Sequence, residues 1–210
     1  SKAVSEAKKH GTPKVVWTGK ADNYVRVPQN NELPLNHDAA FVHYCANETI
    51  QGVQFKEDPS VSAPLICDMS SDFLWRPVDV SKFAFIYAGA QKNIGPSGIA
   101  VVIVRKDLVA AGRKDIPKIF RYKTHADNKS LYNTPPTLGV YLVREVARWI
   151  EDRGGLPAME AMAARKSSCI YEAIARSRGF YTCPVEEPSR SRMNVVFRLP
   201  TPELEAAFVK

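Results

Sequence analysis

Four short apolar runs, at residues 39–45, 64–67, 83–88 and 98–104, constrain the fold more than any other feature of the sequence. Each carries β-branched or aromatic residues and is bounded by polar or Gly/Pro punctuation, which reads as a buried strand. From residue 138 the period changes. Val143, Val146, Ala147 and Ile150 fall at i, i+3, i+4 and i+7 on one helical face, and the pattern stops at Gly154 and Gly155. Pro157 suits the first turn of a second helix, whose apolar positions include Met159, Met162, Ala163, Ile170 and Ile174. This order predicts an α/β sheet. Residues 1–38 read as a short polar helix, a strand at 14–17 and a loop rich in Asn and Pro. A strand at 193–199 and a helix from 202 are expected near the other end. That last helix carries no stop signal, so a truncated chain is expected.

Composition narrows the function classes. The 210 residues are 45% apolar and 24% charged, which excludes disorder and collagen and allows a core that needs no staples. The longest strongly apolar run, 99–104, is stopped by Arg105, far short of the roughly 20 residues that cross a bilayer. Residues 1–12 lack the apolar stretch of a secretory signal, so a cytoplasmic or organelle-matrix location without a membrane partner is expected. Cys45, Cys67, Cys169 and Cys183 are scattered and form no C-x-x-C pair, which argues against both a metal site and a disulfide framework. The net charge of +7 is spread along the chain rather than gathered into a stripe. It suits an anionic small molecule better than a nucleic acid.

Two residues carry candidate chemistry. Lys92 follows a strand-like run and sits among small residues and glycines in IYAGAQKNIGPSG, residues 86–98. In an apolar pocket such a lysine is desolvated, its pKa falls, and it can act as a Schiff-base nucleophile. A solvent-facing turn lysine is the alternative. Asp68 ends the run Leu65-Ile66-Cys67, and the carboxyl ends of parallel strands are where α/β sheets bind ligands. A helix cap is the alternative there. Together, an Asp at one strand end and a Lys at the next are the two charges that pyridoxal 5'-phosphate requires, one for its ring nitrogen and one for its aldehyde.

Four segments extend this reading: HYCANETIQGVQF (43–55), CDMSSDFLWRPVDVSKFAFIYAGAQKNIGPSG (67–98), SLYNTPPT (130–137) and SRSRMNVVF (189–197). In this order they closely resemble the phosphoserine aminotransferases, pyridoxal-phosphate enzymes of class V and fold type I. The resemblance implies a large cofactor-binding domain with a mostly parallel sheet, here residues 1–155, and the start of a smaller α+β C-terminal domain, residues 156–210. It implies transamination between glutamate and 3-phosphohydroxypyruvate, giving phosphoserine and 2-oxoglutarate in serine biosynthesis. Lys92 would be the Schiff-base lysine and Asp68 the partner of the pyridinium nitrogen. Thr49 would hydrogen-bond the ring hydroxyl and Gln91 the phosphate. Asn133 and Thr134 would reach the phosphate of a neighbouring subunit's cofactor, so a homodimer is expected.

On residue chemistry alone, Asn133 and Thr134 form a loop before a helix, and Thr49 is a hydroxyl free to bond backbone. His43 and His125 are assigned to structure or to the margin of the site. Trp75 stands where the family more often has a small residue, and Gln51 where it often has His or Asp. Both departures bear on local packing. Family members are longer at both ends, so the phosphate-cradling helix terminus, the ring-stacking aromatic and most substrate-gripping basic residues are expected outside this chain. Another class V enzyme, such as a serine-glyoxylate transaminase or a desulfurase, would keep a Lys and an Asp but not both GAQKN and YNTPP. A chain that folds or associates without turnover is the non-enzymatic alternative.

Overall fold

A computed structural model describes residues 2–33 and 38–210. The expected polar helix is α1 (Lys2–Ala7), followed by two short 3-10 turns at Gly19–Asp22 and Asn30–Glu32. The expected loop includes residues 34–37, which lie outside the described residues. The strand expected at 14–17 is absent. The segment is held by side chains instead of a ladder, with the Trp17 ring lying over Gly19 and the Arg26 guanidinium 5.6 Å above that ring.

The four apolar runs form one sheet from β1 (Val42–Cys45), β4 (Leu65–Asp68), β5 (Phe85–Gly89) and β6 (Ala100–Val104). Between the first two lies a small hairpin, β2 (Asn47–Glu48) and β3 (Val53–Gln54), which the sequence reading did not include. The sheet order is β1-β4-β5-β6, with β1, β4 and β5 parallel and β6 antiparallel to β5. The sheet is therefore mostly parallel, and the segments between its parallel strands cross over it.

Strand alternation decides which face carries the core. Leu65 and Cys67 of β4 and Ile86 and Ala88 of β5 point to one face, where they pack with Ala46, Met69, Phe73, Phe83, Ala90 and Ile94. Burying a side chain the size of Ile86 stabilises the fold by about 1.5–3 kcal/mol. Asp68, Phe85 and Tyr87 point to the other, less buried face. The expectation of fully buried strands fails at β6, where Val102 and Ile103 are 37% and 36% exposed. An edge strand needs only one covered face, and its apolar run alone does not distinguish it from a central one.

Two short helices, α2 (Lys106–Ala111) and α3 (Tyr122–Asp127), lead to α4 (Thr137–Asp152) and α5 (Gly155–Arg176). The predicted face of α4 is its covered face: Ile150 is buried and Val143 packs on the sheet core. The helix comes close enough that a Cβ on Gly95 would lie 2.6 Å from Val143 Cγ2. Gly154 and Gly155, both at positive φ, separate α4 from α5. On α5, Met159, Ala163 and Ser167 are buried, whereas Ile170, expected on the apolar face, is 47% exposed.

The strand expected at 193–199 is not formed. Among the described residues its only strand-like pairing is an isolated bridge, Arg198 with Thr182, and Arg190 just before it bridges to Val53. Bonds divided between two separate neighbours cannot build a ladder. The terminal helix is α6 (Pro202–Val209), capped by the Thr201 hydroxyl, which accepts from Leu204 N. No helix among the described residues is long and apolar enough to cross a membrane.

Candidate active site

The carboxyl ends of β4 and β5 lie side by side, because Asp68 pairs in register with Tyr87. Asp68 is the last residue of β4, and its Oδ1 accepts a hydrogen bond from Ser70 N at 2.9 Å. That bond closes a local turn rather than capping a helix, the alternative open in the sequence, and it uses only one carboxylate oxygen. Ser70 Oγ in turn accepts from Gly89 N at 3.1 Å, so the loops after the two strands are tied together.

The turn after β5 is closed by Ala90 N donating to Ile99 O and by Ile94 N and Gly95 N donating to Ala90 O. Ala90 and Ile94 are buried anchors, while Gln91, Lys92 and Asn93 face outward. Lys92 is therefore exposed, not desolvated in an apolar pocket, and its placement on a solvent-facing turn was the alternative open in the sequence. Its Nζ donates to Thr49 Oγ1 at 2.6 Å. The turn after β2 thus meets the turn after β5, and the lysine's bond is to a hydroxyl rather than a carboxylate. The Gln91 amide folds back over Gly89, where a Cβ would lie 2.6 Å from Gln91 Oε1. Thr49, Asp68, Gln91 and Lys92 thus lie at the carboxyl end of the parallel strands.

On the open face of the sheet, the Tyr87 hydroxyl lies 3.0 Å from His43 Nε2, and the two rings stack with centroids 6.0 Å apart. Burial pushes the Tyr87 hydroxyl well above its ordinary value, and the charge and hydrogen bonding of Asp68 add to this. Desolvation pulls His43 below its ordinary value, with the Asp68 charge opposing. Cys45 is pushed up to about 12 by burial and by the carboxylates of Glu48 and Asp68, which makes it a poor nucleophile at neutral pH.

Asn133 and Thr134 are exposed in the loop that precedes α4. No hydrogen bond among the described residues joins them to Thr49, Asp68 or Lys92, so within this chain they stand apart from that constellation. His125 bonds the Ile119 carbonyl through Nε2 at 2.7 Å, a structural contact as expected. Trp75 is buried, with Lys56 Nζ, Arg76 and Arg192 at 5.9, 5.7 and 5.8 Å from its ring centroid. The large ring is accommodated as a platform for three cations.

Sequence reasoning gave no role to a buried polar junction behind Thr49. Asn47 Nδ2 donates to Ser71 Oγ (2.9 Å) and to Asn194 Oδ1 (2.8 Å), while Ser191 Oγ donates to Asn47 Oδ1 (2.6 Å). The signal available was that these residues lie inside three of the four family-like segments.

The chain as a whole is similar to known proteins. The family pattern Aminotransferase class-V matches residues 1–210. The chain is 52% identical over its whole length to phosphoserine aminotransferase 2, chloroplastic, of Arabidopsis thaliana, and 52% identical to phosphoserine aminotransferase of Niallia circulans. It spans 50% and 58% of those proteins, respectively. Among solved structures, phosphoserine aminotransferase from Bacillus circulans subsp. alkalophilus superposes with a TM-score of 0.96 at 52% identity, covering 99% of this chain and 58% of that one. The PLP-bound phosphoserine aminotransferase from Trichomonas vaginalis superposes with a TM-score of 0.88 at 40% identity, covering 99% and 60%. Matched from end to end, this chain belongs to the class-V aminotransferase family.

Proposed function

We propose that the protein carrying this chain is a phosphoserine aminotransferase, moving an amino group between glutamate and 3-phosphohydroxypyruvate with pyridoxal 5'-phosphate as cofactor. The observation that carries the reading is that Lys92, Thr49 and Asp68 lie at the carboxyl end of the parallel strands, with Lys92 Nζ 2.6 Å from Thr49 Oγ1. The residues fit the cofactor. An amine bonded to a hydroxyl is available to an aldehyde, and a strand-end carboxylate with only one oxygen used in the local turn can face a ring nitrogen.

Bound there, pyridoxal phosphate would supply an aldehyde that captures the substrate amine and a protonated ring that withdraws electrons. Lys92 would hold the cofactor through Nζ and would move the proton at the substrate Cα as general base and acid. Asp68 keeps the proton on the ring nitrogen by its charge. The Thr49 hydroxyl orients the ring through its own hydroxyl, and the Gln91 amide donates to the phosphate. Asn133 and Thr134 serve the phosphate of a partner subunit, which accounts for their standing apart here and makes the working unit a homodimer. Residues 1–155 belong to the large cofactor-binding domain and 156–210 to the small C-terminal one. A cytoplasmic or organelle-matrix location fits this role.

Borohydride reduction of the cofactor-loaded protein, followed by peptide mapping, tests the assignment. The label is expected on the peptide containing Lys92, with turnover of glutamate and 3-phosphohydroxypyruvate before reduction and none after. A label on Lys82 or Lys106 would refute it.

A further inference from the structure

The junction behind Thr49 joins three loops through the buried side chains of Asn47, Ser71 and Ser191 and the half-buried Asn194. Asn47 is 2% exposed and Ser191 is fully buried. Ser71 Oγ returns a bond to Asn47 O at 2.7 Å, which connects the junction to the loop after Asp68. Ser191 Oγ accepts from Met193 N (3.0 Å) and Asn194 N (3.1 Å), folding residues 191–194 into a tight turn. That turn presents the Asn194 amide to the hairpin, where Nδ2 donates to the Thr49 carbonyl at 2.6 Å. On the far side of the hairpin, Ser191 N donates to Gly52 O at 2.8 Å. Asn194 thus grips the backbone of the residue whose hydroxyl receives Lys92.

A hydroxyl on a hairpin of two-residue strands is weakly fixed by the hairpin itself, because two residue pairs supply little ladder. Something outside must hold Thr49 at hydrogen-bonding distance from Lys92 Nζ. We propose that Asn194 is a positioning residue: its amide fixes the Thr49 backbone, and through it the Thr49 hydroxyl and Lys92, in the geometry that receives the cofactor. The inference rests on the proposed function and adds a contribution from residues 189–197 to a constellation otherwise built from residues 49–92. It also couples the two assigned domains, since a shift of the 191–194 turn pulls directly on the Thr49 carbonyl.

Asn194→Asp isolates the contact. The carboxylate keeps an oxygen that accepts from Asn47 and replaces the N–H donor to Thr49 with an oxygen facing the carbonyl. Asn194→Ser removes the reach to Thr49 without adding charge. Both variants are compared with the parent protein by circular dichroism, by absorbance titration with pyridoxal phosphate and by the pH dependence of the bound cofactor's spectrum. The expected result is native circular dichroism, affinity lower by about tenfold, the value of one well-made hydrogen bond, and a shifted spectral midpoint. A merely structural role would leave that midpoint unmoved. Parent-like affinity and spectrum in a folded variant would overturn the positioning role, and failure of both variants to fold would assign the junction to stability alone and equally overturn it. A parent that does not attach pyridoxal phosphate at Lys92 would overturn the proposed function itself, and this inference with it.

Discussion

Replacing Asp72 by Asn is expected to flatten the pH dependence of stability between about pH 4.5 and about pH 7.5. Asp72 is 4% exposed, and its Oδ1 has no hydrogen-bond partner, while Oδ2 accepts from Gln54 Nε2 at 3.2 Å. Burial therefore outweighs the Gln54 bond and the nearby Arg76 charge, and the carboxyl is pushed up to about 6. A carboxyl raised in this way binds its proton more tightly folded than unfolded. Its contribution to stability is present below the unfolded value of about 3.9 and is lost as pH rises through about 6. Linkage over that window gives a loss of about 2 kcal/mol between about pH 4.5 and about pH 7.5. The variant lacks the titration, so the stability difference between variant and parent should change by about 2 kcal/mol across the window, most of it below about pH 6, and level off above that value. Urea unfolding at several pH values measures this directly, and comparing differences removes any constant effect of the new amide. A difference that stays constant with pH would refute the claim that Asp72 is held mainly by desolvation.

Asp68→Asn should lower turnover by about a thousandfold or more, because the ring loses the charge that keeps it protonated, while cofactor binding persists; near-normal turnover would contradict the role. Mixing Lys92→Ala with Asn133→Ala protein should restore activity through heterodimers in which one site has both residues, and no recovery despite demonstrated subunit exchange would count against a shared site. Gly52→Ala should destabilise the fold by about 1–3 kcal/mol, since Gly52 has φ +69 and its Cβ would sit 2.7 Å from Val196 Cγ2. Thermal unfolding checks this, and an unchanged midpoint would show that the hairpin can retreat from Val196.

The legible parts of the fold were those with a long enough pattern. All four sheet strands were visible as apolar runs, and Val143, Val146, Ala147 and Ile150 marked the covered face of α4 because side chains that meet the same surface must repeat with the helix. The β2–β3 hairpin was not visible, since strands of two residues carry no period. Residues 193–199 misled in the opposite sense. Val195, Val196 and Phe197 have strand-forming side chains, but a strand needs a partner edge, and their neighbours offered single bridges only. The exposure of Lys92 was open as the alternative of a solvent-facing turn, but the sequence could not decide it, because it depends on which residues of the turn point inward. At the candidate site, Asp68 and Lys92 could be singled out by chemistry at strand ends, whereas Thr49 and Gln91 came from resemblance alone. Asn194 acquires meaning only from a contact with a residue 145 positions away.

The antiparallel strand β6 bears on how this chain behaves at high concentration. Together with Ile99 it presents six consecutive apolar residues without a charge or a proline, at the end of the sheet order. Among the described residues nothing pairs with its outer edge. Such an edge is a template for intermolecular strand addition, the first step of ordered aggregation. Arg105 and Lys106, immediately after it, act as charged gatekeepers that oppose stacking of successive copies, and their effect weakens as salt screens them. Low ionic strength and dilute protein are therefore the conditions expected to slow strand addition at this edge by the chain on its own.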